Sequence, residues 1–144
     1  IDKKIKYLCF DTYLINLVQF YFLKHNNLNV GFDKIKNKFL LESNIKKVNS
    51  IYNNNQKYLF IANWSLSETP LSVRKKLKKV LMNSQYILIC FQENFENINN
   101  LNYFKSLKLY LSKKHKVKII KNKYYSGNIF FKQNHYFFLA KKIR

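Results

Sequence analysis

Between positions 58 and 70 the chain reads YLFIANWSLSETP. Tyr58, Leu59, Phe60, Ile61 and Ala62 form an apolar run without alternation, the pattern of a strand buried in a parallel sheet. The run passes directly into the polar string Asn63-Trp64-Ser65-Leu66-Ser67-Glu68. A helix is expected to follow, with Thr69 as N-cap and Pro70 at the first helical position, where a missing amide proton costs nothing. Val73, Leu77, Val80 and Leu81 mark its inward stripe, which leaves Arg74, Lys75, Lys76, Lys78 and Lys79 for the outer face.

The same unit of strand, polar tip and helix recurs on both sides of this stretch. Upstream, residues 6–11 (KYLCFD) are a short apolar run closed by an acid, and residues 12–25 place Leu14, Leu17, Val18 and Tyr21 at helical spacing. Residues 39–41 are a weaker strand, followed by Ile45, Val48 and Ile51 in a short helix. Downstream, residues 85–91 (QYILICF) are the clearest buried strand and end in Gln92-Glu93-Asn94. Leu101, Phe104, Leu107 and Leu111 make a helix of the next segment. Residues 117–120 and 135–140 are two further strands with no helix between them, so one of the pair is expected to run antiparallel. This alternation predicts an α/β fold, Rossmann-like, with a mostly parallel sheet, helices on both faces and an antiparallel last strand. Right-handed crossovers then collect the polar strand ends on one edge. No internal repeat, heptad run or linker divides residues 1–144.

Composition narrows the class. Of 144 residues, 47% are hydrophobic and 17% aromatic, ample for one buried core, so a disordered chain is excluded. Two glycines and one proline are too few for a collagen-like or linker-like sequence. Cys9 and Cys90 both lie in apolar runs and lack zinc spacing, which fits small buried hydrophobes in a reducing cytoplasm rather than a disulfide framework. The formal charge of +20 points to a polyanionic partner. It has a second source, because Lys, Asn, Ile, Phe and Tyr dominate together and share A- and T-rich codons. No apolar stretch reaches the ~20 residues that span a bilayer. The first residue is Ile1 rather than Met, consistent with a natural polypeptide that begins further upstream.

In an open α/β sheet, ligands bind beyond the carboxyl ends of the strands. Only seven acids exist in the chain, and Asp11, Glu68 and Glu93 all fall at such ends. A carboxylate after an early strand suits two ribose hydroxyls, because it accepts from both more strongly than any neutral group does. Asp11 is equally suited to capping the helix that follows. His25, His115 and His135 are scattered over polar helix ends and turns, so no metal cluster is visible and surface roles are expected for each.

The string IANWSLSETP, residues 61–70, resembles the W-S-L-S-E-M-P signature of bacterial sugar O-methyltransferases, a branch of the class I S-adenosylmethionine-dependent methyltransferases. Residues 95–100 (FENINN) are similar to that family's F-E-N-I-D-N stretch, with Asn99 in place of the acid, and His135-Tyr136-Phe137-Phe138-Leu139 is similar to its closing H-Y-Y-L-F-G strand. Residues 7–11 resemble its second strand, although Asp11-Thr12-Tyr13-Leu14 stands where the family often reads D-L-P-E. The resemblance implies S-adenosylmethionine as cofactor and a sugar or glycan hydroxyl as acceptor. It implies that Asp11 contacts the cofactor ribose and that Glu42 and Ser43 approach the adenine. Asn63 and Ser65 join them at the cofactor, while Trp64, Ser67, Gln92, Glu93 and Asn97 face the acceptor. Glu68 is the implied catalytic base, with support of the following helix N-terminus as its other role. The family's glycine-rich loop follows its first strand, and only Gly31 and Gly127 occur here, neither after an opening strand. Residues 1–144 therefore read as the carboxyl-terminal two-thirds of a methyltransferase domain whose first strand precedes Ile1.

Two other functions fit the charge. Eleven Tyr and 13 Phe with the lysines would serve an RNA-binding module, bases stacking on rings and phosphates on cations. Against this, the aromatics fall in apolar stripes where a core needs them. The third function is an RNA methyltransferase. Asn63-Trp64-Ser65 stands where nitrogen-methylating enzymes carry an N-P-P-Y string.

Overall fold

The opening apolar run forms β1 (Tyr7–Phe10) in the computed structural model, which describes residues 6–32, 38–51, 57–124 and 132–143. Gly127 lies outside the described residues. The chain divides into two units, Ile1–Tyr52 and Asn53–Arg144.

In the first unit, β1 leads into α1 (Tyr13–His25), β2 (Val30–Gly31), β3 (Phe39–Glu42) and α2 (Ile45–Ile51). The three strands form a parallel sheet in the order β1-β3-β2. The brief β2 had no counterpart in the sequence pattern. Helix α1 has its expected bounds but not its expected face. Leu14, Leu17, Val18 and Tyr21 are exposed, Leu14 and Tyr21 by more than 70%. The side chains turned inward are Asn16, fully buried, and Gln19, Phe20 and Leu23, half-buried, at the spacing i, i+3, i+4, i+7. Asn16 is held there because its Nδ2 donates to Asp11 O at 3.3 Å and to Ser43 Oγ at 3.0 Å.

The second unit runs β4 (Leu59–Asn63), a single 3-10 turn (Ser65–Glu68), α3 (Leu71–Lys76), α4 (Lys78–Asn83), β5 (Tyr86–Gln92), β6 (Asn94–Phe95), β7 (Ile98–Asn99), α5 (Asn100–Leu111), β8 (His115–Lys121) and β9 (His135–Lys142). Its main sheet has the order β4-β5-β9-β8. β4 and β5 are parallel, and β9 lies antiparallel between β5 and β8, so the last strand is the reversed one. One face of this sheet carries Ile87, Ile89, Phe91, Phe138 and Ala140, all buried. Helix α5 packs there through Phe104, whose ring lies 4.1 Å from Phe91 and 5.8 Å from Phe138. Each such ring contributes roughly 1.5–3 kcal/mol by burial.

Strand β4 departs from the fully buried strand expected of its sequence. It is an edge of this sheet, and Leu59 and Ile61 are 53% and 61% exposed while Ala62 alone is buried. The helix after it starts at Leu71 and is interrupted at Leu77. Thr69 does not cap it. Pro70 O accepts from Val73 N and Arg74 N, while the Thr69 hydroxyl donates to Leu66 O at 2.9 Å. Arg74, assigned to the outer face, is fully buried. It lies three residues before Leu77 and seven before Leu81, on the helical stripe that faces the core.

Candidate active site

In the first unit the parallel register sets Phe10 opposite Glu42, so the carboxyl ends of β1 and β3 end side by side. Asp11 N donates to Glu42 O at 3.3 Å. The Asp11 carboxylate accepts from Thr12 N at 2.8 Å through Oδ1, as a residue ending a strand before a helix can. Glu42 is buried, and its Oε1 accepts from Ser43 N at 3.0 Å and Asn44 N at 2.8 Å. These bonds fix the turn into α2, with Lys47 Nζ 3.9 Å from Oε2. Ser43 is exposed, its hydroxyl accepting from Asn16. Asp11, Glu42 and Ser43 thus form one group. Asn16 bridges its two strand tips, a role that the apolar periodicity of α1 did not reveal, although Asn16 and Gln19 at i, i+3 were the available signal.

In the second unit the chain leaves β4 through Trp64, whose φ of 59° is left-handed. That conformation is costly for a bulky residue, by an amount on the order of 1–3 kcal/mol, and is found where surrounding contacts enforce it. Here Trp64 N donates to Cys90 O at 2.9 Å, and Trp64 O accepts from Ser67 N at 2.8 Å. The bend carries residues 65–68 across the ends of β4 and β5. Asn63 and Ser65 are exposed, Trp64 is half-buried with its ring edge-on to His135 at 5.8 Å, and Ser67 is fully enclosed. The Ser67 hydroxyl lies 2.6 Å from Trp64 O and 2.8 Å from Gln92 Oε1. The Gln92 amide, oriented by that contact, donates through Nε2 to Glu68 Oε1 at 3.2 Å. Glu68 is itself exposed, so Gln92 steers an accessible carboxylate.

Behind this cluster sits Arg74. Its Nη2 donates to Ser67 O at 2.7 Å, Nε to Thr69 O at 2.7 Å and Nη1 to Asn100 Oδ1 at 2.8 Å, with the Tyr103 ring 4.9 Å from Cζ. Burial pushes the Arg74 guanidinium below its ordinary value, offset in part by Tyr103. One planar cation therefore ties residues 65–69 to the start of α5.

The remaining candidates serve the scaffold or lie apart. Glu93 is half-buried, its Oε2 accepting from Asn134 Nδ2 at 2.8 Å and its backbone N donating to Asn134 O at 2.8 Å, which joins β5 to the start of β9. Asn97 is exposed in the turn between β6 and β7, just after Glu96 with its left-handed φ of 49°; no hydrogen bond links it to Glu68 or Gln92 among the described residues. His115 and His135 are not surface residues but buried ones, and His115 Nε2 lies 2.9 Å from Ser84 O. Burial pushes His135 below its usual value. Burial raises the Cys9 and Cys90 thiols, Cys9 also through Asp11, so neither favours a thiolate. Among the described residues, no three His, Cys, Asp or Glu side chains are grouped to hold a metal ion. No helix among them is long and apolar enough to cross a membrane.

The first unit thus has a parallel sheet with polar strand tips, and the second a sheet with parallel strands and a reversed last strand, a mixed α/β architecture similar to that of a solved methyltransferase domain. Solved structures show the likeness. The chain is similar to the methyltransferase domain of a bacterial protein, CtHen1-CN, with a TM-score of 0.57 and 10% identity over 94% of this chain and 77% of that one. It is also similar to chains of two Pnkp1/Rnl/Hen1 structures, the second described as an RNA repair complex. Their TM-scores are 0.60 and 0.58 and their identities 13% and 11%, over 97% and 98% of this chain. The chain spans 32% of the length of each of those two. No protein-family model and no curated protein sequence matches it.

Proposed function

We propose that residues 1–144 are the carboxyl-terminal part of a class I methyltransferase domain that methylates a ribose hydroxyl of RNA. The observation that carries this reading is the pairing of β1 with β3, which brings Asp11 beside Glu42 and Ser43 at the carboxyl ends of two parallel strands. A ribose offers vicinal hydroxyls, and the Asp11 carboxylate suits them as an acceptor. Ser43 and the turn fixed by Glu42 would border the adenine. These residues fit the nucleoside half of S-adenosylmethionine. The glycine-rich half is proposed to lie in the segment that precedes Ile1.

When bound, S-adenosylmethionine supplies an electrophilic methyl group. The chain's own work is to position the acceptor and take its proton. Glu68 is proposed as the base, because it is accessible and Gln92 restrains its Oε1. Trp64 would offer a ring face to the acceptor sugar, and Asn63 and Ser65 polar groups at its rim. Ser67 and Arg74 would act through others, by orienting Gln92 and anchoring the turn.

One of the similar Pnkp1/Rnl/Hen1 structures is described as an RNA repair complex, which favours RNA as acceptor over a glycan, and the basic charge agrees with it. A ribose hydroxyl is itself a sugar hydroxyl, so the chemistry suggested by residues 61–70 is retained. The test is transfer of labelled methyl from S-adenosylmethionine by the full-length polypeptide to an RNA oligonucleotide and to DNA of the same sequence. Label is expected on RNA alone and is expected to drop at least 100-fold in Glu68→Gln. Equal labelling of DNA, or full activity in the variant, would overturn this assignment; label on a nucleotide sugar but not on RNA would return the acceptor to the glycan class.

A further inference from the structure

At the end of the second unit's sheet remote from Glu68 and Gln92, a groove of about 730 Å3 is lined by Lys57, Leu59, Tyr86, Lys116, Lys141 and Lys142, among others. The sheet register lays its floor. Leu59 pairs with Tyr86, Tyr86 with Lys141, and Lys141 with Lys116. Directly paired residues project from the same face, about 4.8 Å apart between neighbouring strands. One row across β4, β5, β9 and β8 therefore presents an aliphatic group, an aromatic ring and two ammonium groups. Lys57, Lys116 and Lys141 are exposed, Tyr86 is 46% exposed, and Lys141 Nζ stands 6.0 Å from the Tyr86 ring centroid.

Lysine-rich composition accounts for the number of cations but not for their placement. Like charges directly opposite each other on a sheet repel, so the Lys116–Lys141 pair costs stability unless an anion bridges it. The acids of this unit are elsewhere: Glu68 and Glu93 follow the carboxyl ends of β4 and β5, and Glu96 lies in the β6–β7 turn. The groove is thus a cationic strip with an exposed ring and no side-chain carboxylate among its described lining residues.

We propose that this groove binds single-stranded nucleic acid, its lysines contacting successive phosphates and Tyr86 stacking a base. The ring is what separates this ligand from other polyanions, because an unpaired base has a face to stack and an acidic peptide does not. The inference rests on the RNA reading above only for the identity of the polymer.

The test is fluorescence anisotropy of a labelled oligouridylate with the full chain, without S-adenosylmethionine, over a range of salt. Each phosphate contact contributes a log–log salt slope of about −0.7. The Lys116→Ala/Lys141→Ala double variant is expected to bind more weakly and to lose about 1.4 of the slope. Tyr86→Ala is expected to weaken binding about tenfold with the slope unchanged. Lys75→Ala/Lys79→Ala, on exposed positions of α3 and α4, is expected to bind as the parent does. Removing Lys116 alone should also raise the melting temperature of the free chain, because the repulsion is relieved.

Parent-like binding in the double variant, or an equal loss in the helix variant, would overturn the proposal. So would poly-glutamate binding that depends on the two lysines while oligouridylate binding ignores Tyr86. Binding through the groove without methyl transfer removes the enzymatic reading and keeps the groove. Methyl transfer to RNA with parent-like binding in the double variant removes the groove alone.

Discussion

The buried guanidinium of Arg74 is satisfied by neutral acceptors: two carbonyls, of Ser67 and Thr69, and the Asn100 side chain. Truncating it strands all three, two in buried contacts and Thr69 O in a part-buried one. Arg74→Ala is expected to cost roughly 2–4 kcal/mol of stability, and Arg74→Lys more than half as much, because an ammonium cannot reproduce the planar fork. Urea unfolding followed by the fluorescence of Trp64, the sole tryptophan, checks this; a change within 0.5 kcal/mol, as at a surface position, would contradict it. His135 makes a second residue-level prediction. Burial holds its imidazole below the ordinary 6.5. The unfolded chain then takes up a proton that the folded chain resists, so its contribution is complete above pH 6.5 and is lost as pH falls from there through the lowered folded value. The pH dependence of the urea midpoint should be shallower on the acid side in His135→Gln than in the parent, and parallel curves would refute it. The sequence pattern alone predicts solvent-facing side chains for both. Arg74 lies within a run of lysines, yet its spacing to Leu77 and Leu81 put it on the core stripe. His135 opens an apolar strand, which was the signal that it is enclosed.

Among the elements, those whose apolar residues fill a core were the legible ones. Helix α5 follows Leu101, Phe104, Leu107 and Leu111, and three of these four are buried; β5 and β9 match their apolar runs. Helix ends were less legible, because they depend on which polar side chain bonds which amide. Thr69 looked like a cap and is not one. Asn99 caps α5, its Oδ1 accepting from Asn102 N at 2.8 Å. Asn99→Ala is expected to lower stability by about 1 kcal/mol and Asn99→Asp to preserve it, because aspartate keeps the acceptor and adds a favourable charge at the helix start. Thermal unfolding of the three forms tests the cap, and equal melting temperatures would dismiss it. The apolar stripe of α1 shows the opposite limit. Periodicity identified the helix, but Leu14, Leu17, Val18 and Tyr21 face solvent while Asn16 is drawn inward by two hydrogen bonds.

At the scale of the molecule, the order of strand, polar tip and helix carried enough information for the α/β class and the reversed last strand, since both follow from where apolar runs and helices fall along the chain. Pairing order was not legible, because nothing local in β9 says that it lies between β5 and β8. Candidate site residues divide in the same way: that they follow strand ends was legible from the apolar runs, whereas their division into accessible groups, such as Glu68, and enclosed ones, such as Ser67 and Gln92, depends on the bend at Trp64. Charge, finally, was legible only as a total, and the register of four strands turns part of it into the groove around Tyr86. The proposed methyltransferase function requires Asp11 to accept hydrogen bonds from a cofactor ribose. Calorimetric titration of S-adenosylmethionine into the full-length polypeptide and its Asp11→Ala variant measures that directly. Saturable binding that weakens at least tenfold in the variant is expected, from loss of a charged acceptor; no binding by the parent, or equal affinity in both, would refute the ribose-binding role of Asp11.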